Sequence, residues 1–502
     1  MNKFLRIVTT AALLLGSAAA YADRANQLAD ERVRQAIAYA IDMDTIVETL
    51  FEGKAIAADS MIPNGGFKAD GLNAYGYDPE RARALLAEAG WNDDQVLDVV
   101  YYYGDQLTAD LMVAMQAYLG DVGIQMTYRK LEGDVGAQLN ALPSDGSDTS
   151  AVTWDIAYGA KAALALQEYY NGYRSGNSSY APGNADRDAL IDRINATADV
   201  AMQQAAFMDF ERFENDVLSD IPLYYQQLFI YESSRMDRNG GQYGNDQFNY
   251  DWNILNWTAE ADSDGKEVLY TNTAPSQFFD HPWLNPGIYV FSKIGLDHLL
   301  TADGSLAPTG GQMAESYSVS DDGLTVPWSI ETAKTVPGIN AVFTATFNSI
   351  ESMSIDGDVI TLNMSQLDPN VLLTFSQFAP LPKHLLEGVN PAEFQQHPFW
   401  QNPVGSGPYQ IAEVQMNDYV RFVPFADYHG GVANVDEIVA FPSGENDGNV
   451  ITNAAAGRLD FGFTKSVSDV QSLEDMAHMR VIPADIPYTR SLRVNAYANI
   501  SE

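Results

Sequence analysis

Apolar and polar positions recur along the chain in two different periods. In DERVRQAIAYAIDMDTIVETLFEG (30–53), Val33, Ile37, Ala40 and Ile41 repeat at the spacing of one helix face. Asp30 stands where an N-cap belongs, and Gly53 closes a second short helix. DPERARALLAEAGW reads the same way: Asp78 caps, Pro79 takes the first helical position and Gly90 follows the last turn. VLDVVYYYG (96–104) is strand-like, a helical run covers about 108–121, and GIQMTYRKL (123–131) is strand-like again. That order predicts a β-α-β crossover between parallel strands. WDIAYGA (154–160) predicts another strand of the same sheet. Helices are expected over 187–198 and 201–219, and IPLYYQQLFIYES (221–233) reads as a strand returning elsewhere.

A polar break, TAEADSDGKE (258–267), separates this half from the next. Its Asp262-Ser263-Asp264-Gly265 resembles the start of a calcium loop, but the distal glutamate is not at the required spacing, so a turn or linker is expected. Strands dominate the second half: EVLYTNTA, a pair around SMSIDGDVITLNM with an Asp356-Gly357 turn, then YQIAEV, YVRFVPF and VDEIVAFP, with a helix over 448–458. The pattern predicts an α/β protein with mixed sheets, and about 480 residues exceed what one core holds, so two or three domains are expected.

Composition narrows the classes. Residues 1–22 run from Lys3 and Arg6 through IVTTAALLLGSAAA to Ala20-Tyr21-Ala22, the order of a secretory signal peptide. No later stretch approaches the roughly 20 apolar residues of a membrane helix, so an exported, soluble chain is expected. The chain has no cysteine, which removes disulfides, thiolate chemistry and the acylated cysteine of a lipoprotein. The periplasm of a Gram-negative cell is the expected location. Net charge is −39, becoming −41 once Lys3 and Arg6 leave with residues 1–22, which disfavours nucleic acid and anionic membrane as partners. The 27 Tyr and 7 Trp suggest a broad aromatic surface to bury or to offer.

No catalytic or metal constellation emerges. The six histidines are scattered without metal-ligand spacing, and Gly405-Ser406-Gly407 is not a nucleophile elbow. No carboxylate pair is singled out among 67 acidic residues. No enzyme activity, metal or cofactor is expected.

GGQMAESYSVSDDGLT (310–325), FAPLPKHLLEG (378–388), NPVGSGPYQI (402–411), FADYHGGVANVDEIV (425–439) and RVRQAIAYAID (32–42) each resemble a signature of the family-5 bacterial extracellular solute-binding proteins, the peptide/nickel class serving ABC importers. The resemblance covers nearly all of the chain after residue 22. It implies a two-lobed, periplasmic-binding-protein-like (class II) fold. The order departs from the family: the part matching its latter half, about 23–260, precedes the part matching its former half, about 264–502. The chain thus resembles a circular permutant in which RSLRVNAYANISE would run into ADERVRQAIAYAID. After Thr325 it also lacks the family's usual strand pair, roughly twenty residues. The implied organisation is a signal peptide at 1–22, a lobe at 23–225, a return segment and linker at 226–262, and a second lobe at 263–502 with a small subdomain at about 285–400.

The resemblance further implies ligand capture between the lobes and delivery to the permease subunits of an ABC importer. A monomer is expected, touching the inner membrane only through the permease. Where peptide-binding relatives hold an acidic anchor, this chain has GAKAALALQEYYNGYRSGN with Lys161, unless Glu168 substitutes. Neutral oligosaccharides thereby gain on oligopeptides, and a nickel chelate and a secreted hydrolase of the same polymers stay open. So does a rearranged chain that no longer closes on a ligand. Candidate ligand residues are Tyr158, Gln167, Tyr169, Tyr170 and Arg174 on one lobe, and Gln277, Phe278, Phe279 and Trp283 on the other, with Phe378 and Trp400 as weaker candidates. NPVGSGPY reads as a structural turn in which Gly405, Gly407 and Pro408 serve backbone geometry.

Overall fold

The computed structural model describes residues 24–500 apart from 64, 66, 145, 164–165, 198, 241–253, 274–282, 284–293, 303–307, 314–324, 338, 340, 357–358, 369, 416–417, 443–448 and 487. Local signals set the first elements. Asp30 caps the helix Glu31–Ala40 by accepting from the Arg32 N–H, and Val33, Ile37, Ala40 and Ile41 are all buried. Asp78 caps Pro79–Ala89 with Pro79 at its start, and Gly90 ends it in the left-handed conformation (φ 71°), as the DP…G pattern dictates.

Val96–Tyr101 pairs in parallel with Gln125–Lys130, joined by the helix Gln106–Asp121, and in parallel with Ile156–Ala162. The complete first sheet has six strands, in the order Ala55–Ala57, Asp220–Gln226, Tyr488–Val494, Ile156–Ala162, Val96–Tyr101, Gln125–Lys130. On one face, Leu97, Val99, Ile156 and Leu492 pack with Val33, Ile37, Leu111 and Met115 of the helices. On the other, Trp154 and Ala157 belong to the same apolar cluster as Tyr169, Ile191, Ile194 and Phe207.

The second sheet has seven strands, ordered Tyr409–Gln415, Tyr419–Pro424, Glu437–Pro442, Val268–Thr273, Phe461–Thr464, Leu228–Ser233, Met479–Ala484. Val268–Thr273 runs parallel to Glu437–Pro442 and Phe461–Thr464; the remaining neighbours are antiparallel, which makes the sheet mixed. Trp283, Phe343, Phe347, Phe378, Phe394 and Trp400 form a buried aromatic group within this half.

Sheet membership differs from the expected division at two places. Leu228–Ser233, assigned to a return segment, is an interior strand of the second sheet, and Tyr488–Val494, assigned to the second lobe, is an interior strand of the first. Both differences have one cause: two stretches of chain cross from sheet to sheet, side by side. Asp220–Gln226 lies antiparallel to Tyr488–Val494, and beyond the crossing Leu228–Ser233 lies antiparallel to Met479–Ala484. At the chain's outer edge Arg24–Ala25 pairs antiparallel with Asn499–Ile500, and Asn26 Nδ2 donates to the carbonyls of Asn495 (2.6 Å) and Tyr497 (2.9 Å).

The Asp262 segment is a turn: Asp262 Oδ1 accepts from the N–H groups of Asp264 (2.8 Å) and Lys266 (3.0 Å), and Gly265 has φ 79°. The helix Thr325–Ala333 begins where the family's strand pair was expected to be missing. The reason for glycine in NPVGSGPY is close approach. A Cβ on Gly407 would lie 2.6 Å from both the Gly295 carbonyl carbon and the Leu296 nitrogen, and one on Gly405 would lie 1.7 Å from the Gly295 oxygen. Gly407→Ala should therefore cost about 1–3 kcal/mol through backbone displacement. Gly120→Ala, in an exposed helical position with nothing within 4 Å, should gain about 0.5–1 kcal/mol. Urea unfolding of the two variants checks both signs.

Candidate functional site at the crossing of the sheets

The crossing strands bring polar residues to the junction of the lobes. Gln226 ends one strand, Leu228 begins the next, and between them Gln227 Nε2 donates to Asp485 Oδ1 (2.9 Å) on the other crossing segment. A cleft of 340 Å³ opens here, lined by Asp59, Lys68, Tyr225, Gln226, Gln227 and Asp485 among others. Lys68 Nζ lies 2.6 Å from Asp59 Oδ1, to which the Tyr225 hydroxyl also donates (2.6 Å). Burial alone would raise the Asp59 carboxyl, but these two hydrogen bonds hold it below its ordinary value.

Deeper in the first sheet a tyrosine group collects around Arg490. Tyr102 and Tyr103 follow the carboxyl end of Val96–Tyr101, and their hydroxyls meet at 2.8 Å. Ligands of open α/β sheets bind at such strand ends. Tyr158 and Tyr224, on strands flanking Tyr488–Val494, share a hydroxyl contact of 2.7 Å. The Arg490 guanidinium stacks 3.9 Å from the Tyr103 ring centre, and its Nε donates to Gln226 Oε1 (2.8 Å). Lys465 Nζ, just beyond Phe461–Thr464 of the second sheet, lies 4.6 Å from the Tyr488 ring centre.

The lobes also meet away from the crossing. Lys54 Nζ reaches Glu474 (3.0 Å), Gln471 donates to Glu52, and Asn370 Nδ2 lies 3.4 Å from the Tyr170 hydroxyl. The Lys54–Glu474 pair is solvent-exposed in part and is worth under about 1 kcal/mol.

The candidates read from sequence occupy different settings. Tyr158 joins the Arg490 group. Gln167 and Tyr169 lie on the turn Leu166–Tyr169, both buried, with Gln167 Nε2 and the Tyr169 hydroxyl lacking hydrogen-bond partners. Tyr170 donates to Asn195 Oδ1 (2.7 Å) and also faces Asn370. Arg174 pairs with Asp192 at the surface of its own lobe. Trp283 stacks on Phe378 (5.2 Å) and Phe394 (5.7 Å) and donates to the Ala379 carbonyl, while Trp400 Nε1 donates to the Phe394 carbonyl. These hydrogen bonds satisfy both indole donors inside the aromatic group, where Phe378 is buried with them. Gln277, Phe278 and Phe279 lie outside the described residues.

Lys161 is the last residue but one of the strand Ile156–Ala162, with its ammonium 5.5 Å from the Tyr173 ring centre, and burial lowers its pKa. Arg490, Tyr103, Tyr224, Tyr488 and Gln226 were not foreseen. The available signal was TRSLRV, a strand carrying two arginines among positions that are nearly all buried. His429 Nε2 is paired with Asp297 (2.8 Å), whose carboxylate also accepts from Tyr428 (2.9 Å) and Gln312 (3.1 Å). That network pins two loops together. Among the described residues no cluster of His, Cys, Asp and Glu could hold a metal, and no helix is long and apolar enough to cross a membrane.

Two α/β lobes joined by paired crossing strands, with aromatic and polar groups at the junction, define the class of two-lobed solute-binding folds. The sequence profile of the bacterial extracellular solute-binding proteins, family 5 (Middle), matches residues 8–187 and 325–500, more than half of the chain, and the chain belongs to that family. It is 38% identical over 106 residues, 20% of each chain, to a putative ABC transporter peptide-binding protein of Brucella ovis. It is 25% identical over 222 residues, 41% of each chain, to the nickel-binding periplasmic protein of Escherichia coli. Among solved structures, the mannohexaose-bound periplasmic oligopeptide-binding protein of Thermotoga maritima aligns with 41% of this chain and 45% of that one, at 21% identity and a TM-score of 0.33. The chain spans about a fifth of the length of the Brucella relative.

Beneath Tyr169 and Tyr173 a cavity of 30 Å³ is lined by Glu211, Glu214 and Asp220. Glu211 accepts from the Ala69 N–H, its Oε1 has no partner, and burial raises its pKa from 4.5 to about 7. Below pH 4.5 both the folded and unfolded chains hold this proton. Between 4.5 and 7 only the folded chain does, so stability falls as pH rises through this window, by about 3 kcal/mol in total. Glu211→Gln should remove this part of the pH dependence, read as a smaller difference in urea unfolding free energy between pH 5 and pH 8.

Proposed function

We propose that this protein is the periplasmic solute-binding component of an ABC importer, which captures a small peptide or an oligosaccharide between its lobes and presents it to the permease. The observation that carries the reading is the pair of crossing strands. Two side-by-side connections allow the lobes to pivot while each sheet stays intact, and a ligand that touches both lobes favours the closed arrangement. Tyrosine faces and satisfied polar side chains at the junction suit sugar rings and peptide planes alike. The order in which the family's phrases occur along the chain supports a permuted order relative to the family. Secretion through residues 1–22 and action as a monomer belong to the same proposal.

The test is a thermal-shift screen of the purified protein against di- to pentapeptides, cello-, xylo- and galacto-oligosaccharides and nickel chelates. A ligand at a hundred times its dissociation constant should add about 2.7 kcal/mol of stability. The reading expects a shift with peptides or oligosaccharides and no turnover of the compound that binds. Turnover would replace it with the hydrolase alternative, and a cooperative melt unmoved by the whole panel would count against capture of these ligands.

A further inference from the structure

Residues 58–78 connect the strand Ala55–Ala57 to the helix Pro79–Ala89, and those described form neither strand nor helix. Two sets of contacts hold this strap against the first lobe. Its first part is tied to the sheet, where the Tyr225 hydroxyl accepts from the Ser60 N–H (3.1 Å) and Thr489 Oγ1 donates to the Met61 carbonyl (2.8 Å). Its second part is tied to the helix Val200–Val217. There Asn215 Oδ1 accepts from the Asn73 N–H (2.8 Å), Asn215 Nδ2 donates to the Asn73 carbonyl (3.0 Å), and Glu211 Oε2 accepts from the Ala69 N–H. The Phe67 ring packs edge-on against Phe207 of the same helix, 6.1 Å between ring centres.

Glu211 is the one tie in the second set that can change its charge. It is 5% exposed, its Oε1 has no hydrogen-bond partner, and it borders the 30 Å³ cavity together with Ser60, Met61 and Ile62 of the strap. A buried carboxyl with one free oxygen is stable as the acid and costly as the anion. Burial therefore raises its pKa to about 7, with Asp59 adding to the rise and the Ala69 N–H, the Ser60 hydroxyl and Lys68 pulling the other way. The other titratable groups at the cavity are Tyr169, Tyr173, Glu214 and Asp220. Glu214 already pairs with Arg187, Asp220 accepts from Tyr173 and Tyr180, and Lys68 is bonded to Asp59.

We infer that residues 58–78 are a strap latched by the proton of Glu211: with the acid protonated the strap stays closed on the helix Val200–Val217, and with the proton lost it opens around Ala69. The strap brings Asp59, Pro63 and Lys68 to the 340 Å³ cleft at the crossing, so its state sets the shape of one cleft wall. Glu211 is thus a positioning residue that acts through the strap and touches no solute. In the open strap its carboxyl meets water and ionises at its ordinary value of 4.5. Opening then releases a proton at any pH between 4.5 and about 7, and becomes easier as pH rises through that window. The inference does not depend on which solute the cleft takes.

The test is amide hydrogen exchange of the full chain at pH 5 and pH 8, read by mass spectrometry on peptides covering 67–75 and 96–101 and divided by the intrinsic exchange rate at each pH. The strap should be less protected than the strand Val96–Tyr101 at both pH values, because it opens locally. Its protection in the wild type should fall from pH 5 to pH 8 by on the order of tenfold to a hundredfold. Glu211→Gln keeps an uncharged acceptor for the Ala69 N–H and should retain at pH 8 the protection it has at pH 5. Asn215→Ala removes a tie without removing a charge, so it should lower protection at both pH values and leave the fall in place. Wild-type strap protection that does not change with pH, or a fall of the same size in Glu211→Gln, overturns the inference. Strap protection equal to that of the strand at both pH values also overturns it, since the strap would then be exposed only by unfolding of the lobe. Should Glu211→Gln fail to fold, the pH profiles of the wild type and of Asn215→Ala still decide.

Discussion

Everything in this structure depends on one antiparallel ribbon that belongs to two sheets at once. Asp220–Gln226 and Tyr488–Val494 are hydrogen-bonded inside the first sheet, and their continuations Leu228–Ser233 and Met479–Ala484 inside the second. Each half of the ribbon is fixed by pairing within its own sheet, while at the junction side-chain hydrogen bonds cross it from Gln227 to Asp485 and from Arg490 to Gln226. Rigidity in the sheets and freedom at the junction are the two conditions of hinge motion. The ribbon also decides where chemistry can sit. Residues at its junction are carried by the backbone of both lobes, and Gln226, Tyr488 and Arg490 are among them or beside them.

The first lobe buries several polar and charged side chains. Asp220 accepts from Tyr173, from Tyr180 (2.7 Å) and from Ser491 (3.0 Å), and Arg187 is held by Glu214 and Ser219. Tyrosine suits this setting because its ring fills apolar space and its hydroxyl reaches a buried acceptor. The same residue type is used at Arg490, where rings replace the carboxylate that would ordinarily accompany an arginine. One lobe thus holds one cation by a carboxylate and another among tyrosine rings.

Local signals were legible in the sequence. Asp30, Asp78, Pro79 and Gly90 act within a single turn, so their roles need no knowledge of the rest of the chain. The β-α-β unit was legible for the same reason. The path of the ribbon was not: nothing local in YTRSLRV says that it pairs with residues about 270 and 330 positions earlier. Aromatic identity was also ambiguous. Trp283 and Trp400 turn inward with their indole donors satisfied, whereas Tyr158 stands at the junction, and composition does not separate these outcomes. Arg490 escaped notice because a charged residue in a strand is read as facing solvent. The class of protein came through phrase-level resemblance, which the family profile bears out over most of the chain.

The central claim is that the lobes pivot about Gln227 and Asp485 and that a solute sets their angle. The chain has no cysteine, so two can be introduced at the exposed positions Val113 and Val432, one on each lobe, and spin-labelled without background. The distance distribution between the labels should be broad without ligand and should narrow and shift when a compound that raises the melting temperature is added. A distribution that is the same with and without such a compound would contradict the account.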